Sequence, residues 1–442
     1  MSEERAGGRL RALDVLRGIA ILGTLGTNVF VWVQLPEGAG QGGWPLGLGP
    51  ANPLEAVLMQ LTNGKFLSLL TLMFGMGLVI QFDAADRRRQ RWPQVYLWRA
   101  ALLFLDGVLH YVLVFAFDVL MSYAVTGLVV AYLLRTSRRA QRIVCAIAAG
   151  LHILVVLAGE VFVHLLFVTD EELRRRAAER LQNPAELSWW DGVVDRTTQL
   201  LANRQEALLI LPMSIALFLL GGFLFRAGLF EERGGRLRRR LMIAGGCALL
   251  SDMLLALSPW LLPWPVTLSL STRYLLAVFV ALGIAAAAAA FFLDRPVGWT
   301  GRRLEDVGRL ALSCYVGQNV VCMALFSDWA LNLDAAMPAS WGVGVAVVAY
   351  LLVTAILLVF ASLWRRRFGQ GPLERLWAVS YRGAMRLTPG LSRPREREQT
   401  GESNGGPAAD EGSATGDGQS AGTSSTTKAA PTEARLSRSA GA

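Results

Sequence analysis

His110 stands between two carboxylates, Asp106 four residues before it and Asp118 eight residues after it, within the apolar stretch Trp98 to Leu128. A carboxylate that holds one imidazole nitrogen leaves the other free to act as a general base, and a nearby cation can stabilise the oxyanion formed when a carbonyl is attacked. Asp118 or Asp106 could orient the ring, and Lys65 is the candidate cation. Read for catalysis, the set is His110, Asp118 and Lys65, with Asn28 and Tyr123 beside them. Read without chemistry, the same residues form a satisfied polar network that fixes helix packing.

A second set is basic. Asp14, Arg17, Thr24 and Asn28 recur at helical spacing and share one stripe, as do Arg99, Asp106 and His110. The guanidinium fork suits phosphate, so Arg17 and Arg99 are candidate ligands for a phosphorylated donor. Asp14 and Arg17 equally suit an i, i+3 pair whose arginine snorkels to the headgroups. The substrate-binding candidates are Asp14, Arg17, Asn28, Arg99 and Tyr123. His152, Glu160 and His164 share a helical face, but two or three such ligands without a certain further one do not make a metal site, and none is expected. Cys145, Cys247, Cys314 and Cys322 show no CxxC spacing and read as small core residues. No Walker loop, dinucleotide-binding glycine motif or GxSxG stands in a plausible setting, so neither ATP-driven transport nor serine hydrolysis is supported and no cofactor is certain.

These residues are carried by elements that do not belong in water. The chain has 442 residues, 53% hydrophobic and 17% charged, against about a quarter charged in soluble domains. Its mean hydropathy is +0.40 although its last residues are almost free of large apolar side chains. A soluble enzyme is excluded. The net charge of +9 comes from arginine clusters between apolar runs and not from one basic face, so no nucleic-acid partner is expected.

The apolar runs predict an all-α polytopic bundle of about ten membrane spans, each near the 20 residues that hydrocarbon requires. They are Leu13 to Leu35, Lys65 to Phe82, Tyr96 to Phe117, Asp118 to Leu134, Ile143 to Val168, Ala207 to Phe225, Leu241 to Leu262, Tyr274 to Leu293, Leu310 to Ala330 and Trp341 to Trp364. The chain divides into a five-helix half at 1–168, an external loop at 169–206, a second five-helix half at 207–388 and a disordered cytoplasmic tail at 389–442. Within the loop, Asp170 to Gln182 could form an exposed helix, and Trp189 and Trp190 suit the membrane interface. The glycines of MFGMG (Gly75, Gly77) and LLGG (Gly221, Gly222) allow close helix contact. Asp252, Arg273, Gln318 and Asn319 read as interhelical hydrogen-bond partners.

Six stretches carry a resemblance. RALDVLRGIAILGTLGTNVF (Arg11 to Phe30), NGKFLSLLTLMFGMG (Asn63 to Gly77) and WRAALLFLDGVLHYVLVFAFDVLMSYAVTGL (Trp98 to Leu128) resemble successive signatures of the YeiB-like bacterial membrane proteins. LPMSIALFLLGGFLFRAGLF (Leu211 to Phe230), VGRLALSCYVGQNVVCMALF (Val307 to Phe326) and FGQGPLERLW (Phe368 to Trp377) resemble that family's C-terminal domain of unknown function. The opening LDxLRGxA is similar to that of polytopic acyltransferases, among them the lysosomal glucosaminide acetyltransferase and bacterial O-acyltransferases. The resemblance implies an acyl group passed from a cytoplasmic donor to an acceptor beyond the membrane, a cell-envelope glycan or a small molecule. The first span lacks the histidine of the O-acyltransferases, so His110 is the substitute candidate. The alternative is a transporter or exporter of a small molecule using the same polar residues as its path, although no repeat relates residues 13–168 to 207–364.

Arginine recurs at alternate connections, at Arg87 to Arg91, Arg135 to Arg142, Arg233 to Arg240, Arg302 and Arg303, and Arg365 to Arg367, while Pro36 to Gly64 has none. This pattern predicts that both termini are cytoplasmic, and the resemblance implies the bacterial plasma membrane. Cysteines introduced by Gly40→Cys and Ser188→Cys should label with an impermeant thiol reagent in intact cells. Protection of both, with labelling of the Arg87 connection, reverses the orientation.

Overall fold

The computed structural model describes residues 2–34, 52–169, 188–200, 205–263, 268–293, 295, 298–333 and 341–387. Residues 1–395 form one compact unit that contains all of these. The expected helix at Asp170 to Gln182 and the expected tail from 389 lie outside the described residues.

Among the described residues the chain is helical with no strand. It opens with α1 (Ser2–Gln34), α2 (Pro53–Thr62), α3 (Lys65–Arg87), α4 (Gln94–Leu113), α5 (Leu120–Leu133) and α6 (Arg138–Thr169). There follow α7 (Trp189–Thr198), α8 (Gln205–Arg226), α9 (Gly235–Leu261) and α10 (Ser269–Leu293), the last with a π-helical turn at Thr272–Leu276. Then come α11 (Trp299–Arg309), α12 (Ala311–Phe326), α13 (Gly342–Phe368) and α14 (Pro372–Leu387). Local signals explain several boundaries. Asn52 caps α2 by accepting from the Glu55 N–H at 2.9 Å, with Pro53 in the first turn. Ser188 and Asp191 form a capping box at α7. Gly64 separates α2 from α3 at φ 71°, and a Cβ there would lie 2.1 Å from the Arg273 carbonyl oxygen. Only glycine fits both demands.

All ten predicted spans contain helix, and among the described residues eight helices are long and apolar enough to cross a membrane. The other two differ for physical reasons. With 14 residues, α5 is only about 21 Å long, short of a hydrocarbon core of roughly 30 Å. Most of it is buried among its neighbours, with Val125, Val129 and Tyr132 exposed. The ninth predicted span, α12, has 16 residues and meets α11 at a bend of 89°, so the two are long and apolar enough to cross only as a bent pair.

α1 is the axis of the core, with Leu13, Leu16, Ala20, Leu25 and Val29 all buried. Its backbone meets α11 directly: a Cβ at Gly18 would lie 2.1 Å from the Leu304 carbonyl oxygen, and one at Gly308 1.8 Å from that of Asp14. Small residues that let helix backbones touch are how membrane helices associate, since lipid supplies no hydrophobic drive. The expected glycine contacts of α3 and α8 are present too, with Gly75 against Phe218 and Gly221 against Leu72. Lipid-facing surface is supplied by α6 and α13, where Ile147, Leu154, Val348, Leu351 and Val359 are exposed.

Candidate functional site

His110 lies in the last turn of α4, and Asp118 in the short connection to α5. Gly107, one turn before His110, lets the connection approach, because a Cβ there would sit 2.5 Å from the Met121 nitrogen. Asp118 Oδ1 lies 3.0 Å from His110 Nδ1, and its Oδ2 accepts from the Met121 N–H at 3.2 Å. On the ring's other side, Asn319 Nδ2 of α12 lies 3.2 Å from His110 Nε2 and 3.4 Å from the Tyr315 carbonyl. Asn28 Nδ2 of α1 donates to Asn319 Oδ1 at 3.1 Å. The Tyr315 carbonyl and the Asn28 amide orient the Asn319 amide, so its nitrogen faces the imidazole. An amide nitrogen can only donate. Nε2 therefore accepts, and the neutral ring carries its proton on Nδ1 and donates it to Asp118. Asp106, the other candidate orienter, instead accepts from Trp377 Nε1.

Phe115 and Tyr315 flank the imidazole at 6.3 and 5.4 Å between ring centroids. His110 is 3% exposed, Asp118 5% and Asn319 0%, so the chain excludes bulk water from the dyad. α7 covers this end of α4: Trp189 Nε1 donates to the Leu113 carbonyl at 3.1 Å and Arg196 Nε to that of Val112 at 3.0 Å.

Lys65 does not join this group. Its ammonium pairs with Asp252 Oδ2 of α9 at 2.5 Å, both side chains being buried, and donates to the carbonyls of Gln60 and Asn63. Gln60 Nε2 donates to Asp252 Oδ1 at 2.7 Å, and Arg273 Nη1 donates to Asn63 Oδ1 at 2.8 Å. Among the described residues no hydrogen bond or ion pair links Lys65 to His110 or Asp118. The reason lies in the break at Gly64, which turns two backbone carbonyls onto the first residue of α3 and leaves its charge to be matched by Asp252. Tyr123 is held on α3 as well, with its hydroxyl 2.5 Å from Thr71 Oγ1 and 3.2 Å from the Leu67 carbonyl.

In the basic set, Asp14 and Arg17 form the intrahelical pair at 2.9 Å, and Arg309 Nε of α11 donates to the other Asp14 oxygen at 3.1 Å. Arg17 lies over Gly77 of α3, and Arg99 Nη1 donates to Gln81 Oε1 at 2.7 Å. Both arginines thus border α3 one turn apart without touching each other. The Arg99 guanidinium also stacks on Tyr381 of α14, 4.9 Å from the ring centroid.

Gln318 and Asn319 are interhelical partners as expected, Gln318 Nε2 donating to Thr24 Oγ1 at 3.3 Å. That Asn319 meets His110 had no signal beyond the adjacent polar pair QN in an apolar run. The carboxylate of Glu374 was not singled out either; it accepts from the Leu312 and Ser313 N–H groups at 2.8 and 3.1 Å and from the Ser313 hydroxyl, closing the first turn of α12. His152 Nε2 donates to the Tyr274 carbonyl at 3.0 Å and Glu160 accepts from the Ser271 N–H at 2.7 Å, so both serve the start of α10, while His164 is exposed. No metal-ligand cluster occurs among the described residues.

Residues 224–383 match the family described as a protein of unknown function, DUF418. The chain is 27% identical over 388 residues to the uncharacterized protein YeiB of Escherichia coli strain K12, with 83% of this chain and 94% of that one covered. It is 23% identical over 390 residues to the uncharacterized protein YxaH of Bacillus subtilis strain 168, with 84% and 93% covered. No solved structure matches. The DUF418 match takes in Asp252, Arg273, Asn319 and most of α14, while His110 and Asp118 precede it.

The Lys65–Asp252 pair yields a stability prediction. Lys65→Met leaves a buried carboxylate without its cation, a change that typically costs about 3–5 kcal/mol. The double variant Lys65→Met/Asp252→Leu should regain more than half of that loss. Thermal unfolding in detergent measures both, and a single variant as stable as the wild type contradicts the pairing.

Proposed function

We propose, from the premise that this chain is a YeiB-like multi-pass membrane protein, that it is an acyltransferase of the bacterial plasma membrane with both termini cytoplasmic. It takes an acyl group from acyl-CoA on the cytoplasmic side and delivers it to an extracytoplasmic acceptor, an envelope glycan or a small molecule. The observation that carries this reading is the water-excluded His110–Asp118 pair, whose second imidazole nitrogen is met by a neutral amide donor.

In this reading an acceptor hydroxyl replaces the Asn319 amide at Nε2. His110 takes its proton while the oxygen attacks the thioester carbonyl, and the imidazolium is stabilised by Asp118 at Nδ1. Collapse of the tetrahedral intermediate breaks the C–S bond, and the thiolate leaves as the thiol with the proton from His110. The products are the acyl ester and free CoA. The displaced Asn319 N–H then donates to the oxyanion, the role first considered for Lys65. α7 lies over this end of α4, so acceptor entry requires its displacement. Donor phosphates are met by Arg17 and Arg99 along α3, with Asp14 orienting Arg17.

One observation favours transport or export of a small molecule instead. The 89° break between α11 and α12 is the kind of interrupted span that transporters place at their substrate sites. Purified protein in liposomes separates the two readings. Acyl-CoA consumption with a panel of acceptors is expected for wild type; His110→Ala should lower it by roughly 100-fold or more while the protein stays folded. Arg17→Ala should raise the donor KM instead. No consumption by the wild type removes the acyltransferase reading, and full activity in His110→Ala removes this histidine from the mechanism.

A further inference from the structure

α14 differs from the helices before it. It is not among the membrane-length apolar helices, and it follows the end of α13 across a turn at Gly369, which has φ 75°. One face of it is committed to the bundle. Glu374 holds the first turn of α12, Trp377 donates to Asp106 of α4, and the Tyr381 hydroxyl donates to the Val95 carbonyl at 3.3 Å.

The opposite face is exposed and basic. At 100° per residue, Arg375, Arg382 and Arg386 fall within about 40° of arc on the side away from Trp377. All three are exposed, as are Arg366 and Arg367 at the end of α13. Leu376 and Val379 flank the arginine stripe and are 58% and 53% exposed, which a helix facing only water would not favour. The acidic residue of α14, Glu374, is turned inward and engaged.

A basic stripe with an apolar strip along its edge, on a helix that begins where a span ends, is matched by the boundary between phosphate headgroups and acyl chains. Guanidinium groups take phosphate oxygens as charge-assisted partners, and the apolar strip gains by entering the acyl boundary. We propose that α14 docks on an anionic membrane leaflet, with Arg375, Arg382 and Arg386 binding the phosphates of anionic phospholipid headgroups and Leu376 and Val379 entering the acyl boundary. This proposal does not depend on acyl transfer.

The full chain is exchanged into nanodiscs of equal phosphatidylcholine and phosphatidylglycerol, re-extracted in mild detergent, and its retained lipid is quantified by mass. Wild type should retain phosphatidylglycerol in preference, and Arg375→Gln/Arg382→Gln/Arg386→Gln should lose that preference by roughly threefold or more. Lysine at the same three positions should keep most of it. Arg87→Gln/Arg88→Gln/Arg89→Gln, an equal charge loss elsewhere, should leave it unchanged. Equal retention of phosphatidylglycerol by the wild type and the glutamine variant overturns the proposal, and so does a wild type without preference. Should the glutamine variant fail to fold, the salt dependence of the wild type and lysine variant decides. Preference must weaken as salt screens the headgroups, and a salt-independent preference overturns the assignment.

Discussion

A histidine inside a bundle that faces lipid has two ring nitrogens to satisfy and no bulk water to satisfy them. Here Asp118 and Asn319 supply the partners from opposite sides, and most of the architecture around them follows from that demand. Asp118 reaches Nδ1 because Gly107 lets the α4–α5 connection close down on the helix. Asn319 reaches Nε2 because α12 is a separate half-helix beside α1, and α12 stands there because Gly18 and Gly308 let α11 lie directly on the α1 backbone. Asn28 completes the chain and sets which way the Asn319 amide faces.

The polar residues around this centre solve the same problem in other ways. Lys65 and Asp252 neutralise each other across α3 and α9, and Arg273 reaches back to Asn63 at the break between α2 and α3. Such pairs contribute little net stability, because desolvation offsets most of the attraction, but removing one partner is costly. They therefore act on register: a slip of α9 along α3 would leave two buried charges unmatched. α14 does the equivalent from outside the spans, tying α12 through Glu374 and α4 through Trp377. Whatever seats α14 on its other face also seats the two helices that carry Asn319 and His110.

The sequence made the within-helix part of this plain. Spacing placed Asp14 with Arg17 and brought His110 near Asp118, and apolar runs located eight of the ten predicted spans as membrane-length helices among the described residues, since these depend on residues close together in the chain. What it did not disclose were the pairings set by which helices become neighbours. Asn319 lies 209 residues from His110, and Gln60 lies 192 from Asp252, distances over which no spacing rule operates. Lys65 pairs elsewhere for the same reason: its place in the sequence puts it at the start of α3 but does not say which helix its charge faces. Length alone hid two departures. α5 is apolar enough for a span but has too few residues, and the α11–α12 bend falls inside what reads as a polar connection followed by a normal span.

The central claim is that His110 is a neutral imidazole protonated on Nδ1 and accepting at Nε2. The chain has three histidines, so ¹⁵N-histidine labelling of the full protein in nanodiscs gives a spectrum simple enough to assign with His152→Gln and His164→Gln variants. The account predicts, at neutral pH, a protonated Nδ1 and an unprotonated Nε2 for His110, with the Nε2 resonance moving when Asn319 is replaced by leucine. A proton on Nε2, or a resonance indifferent to Asn319→Leu, contradicts it.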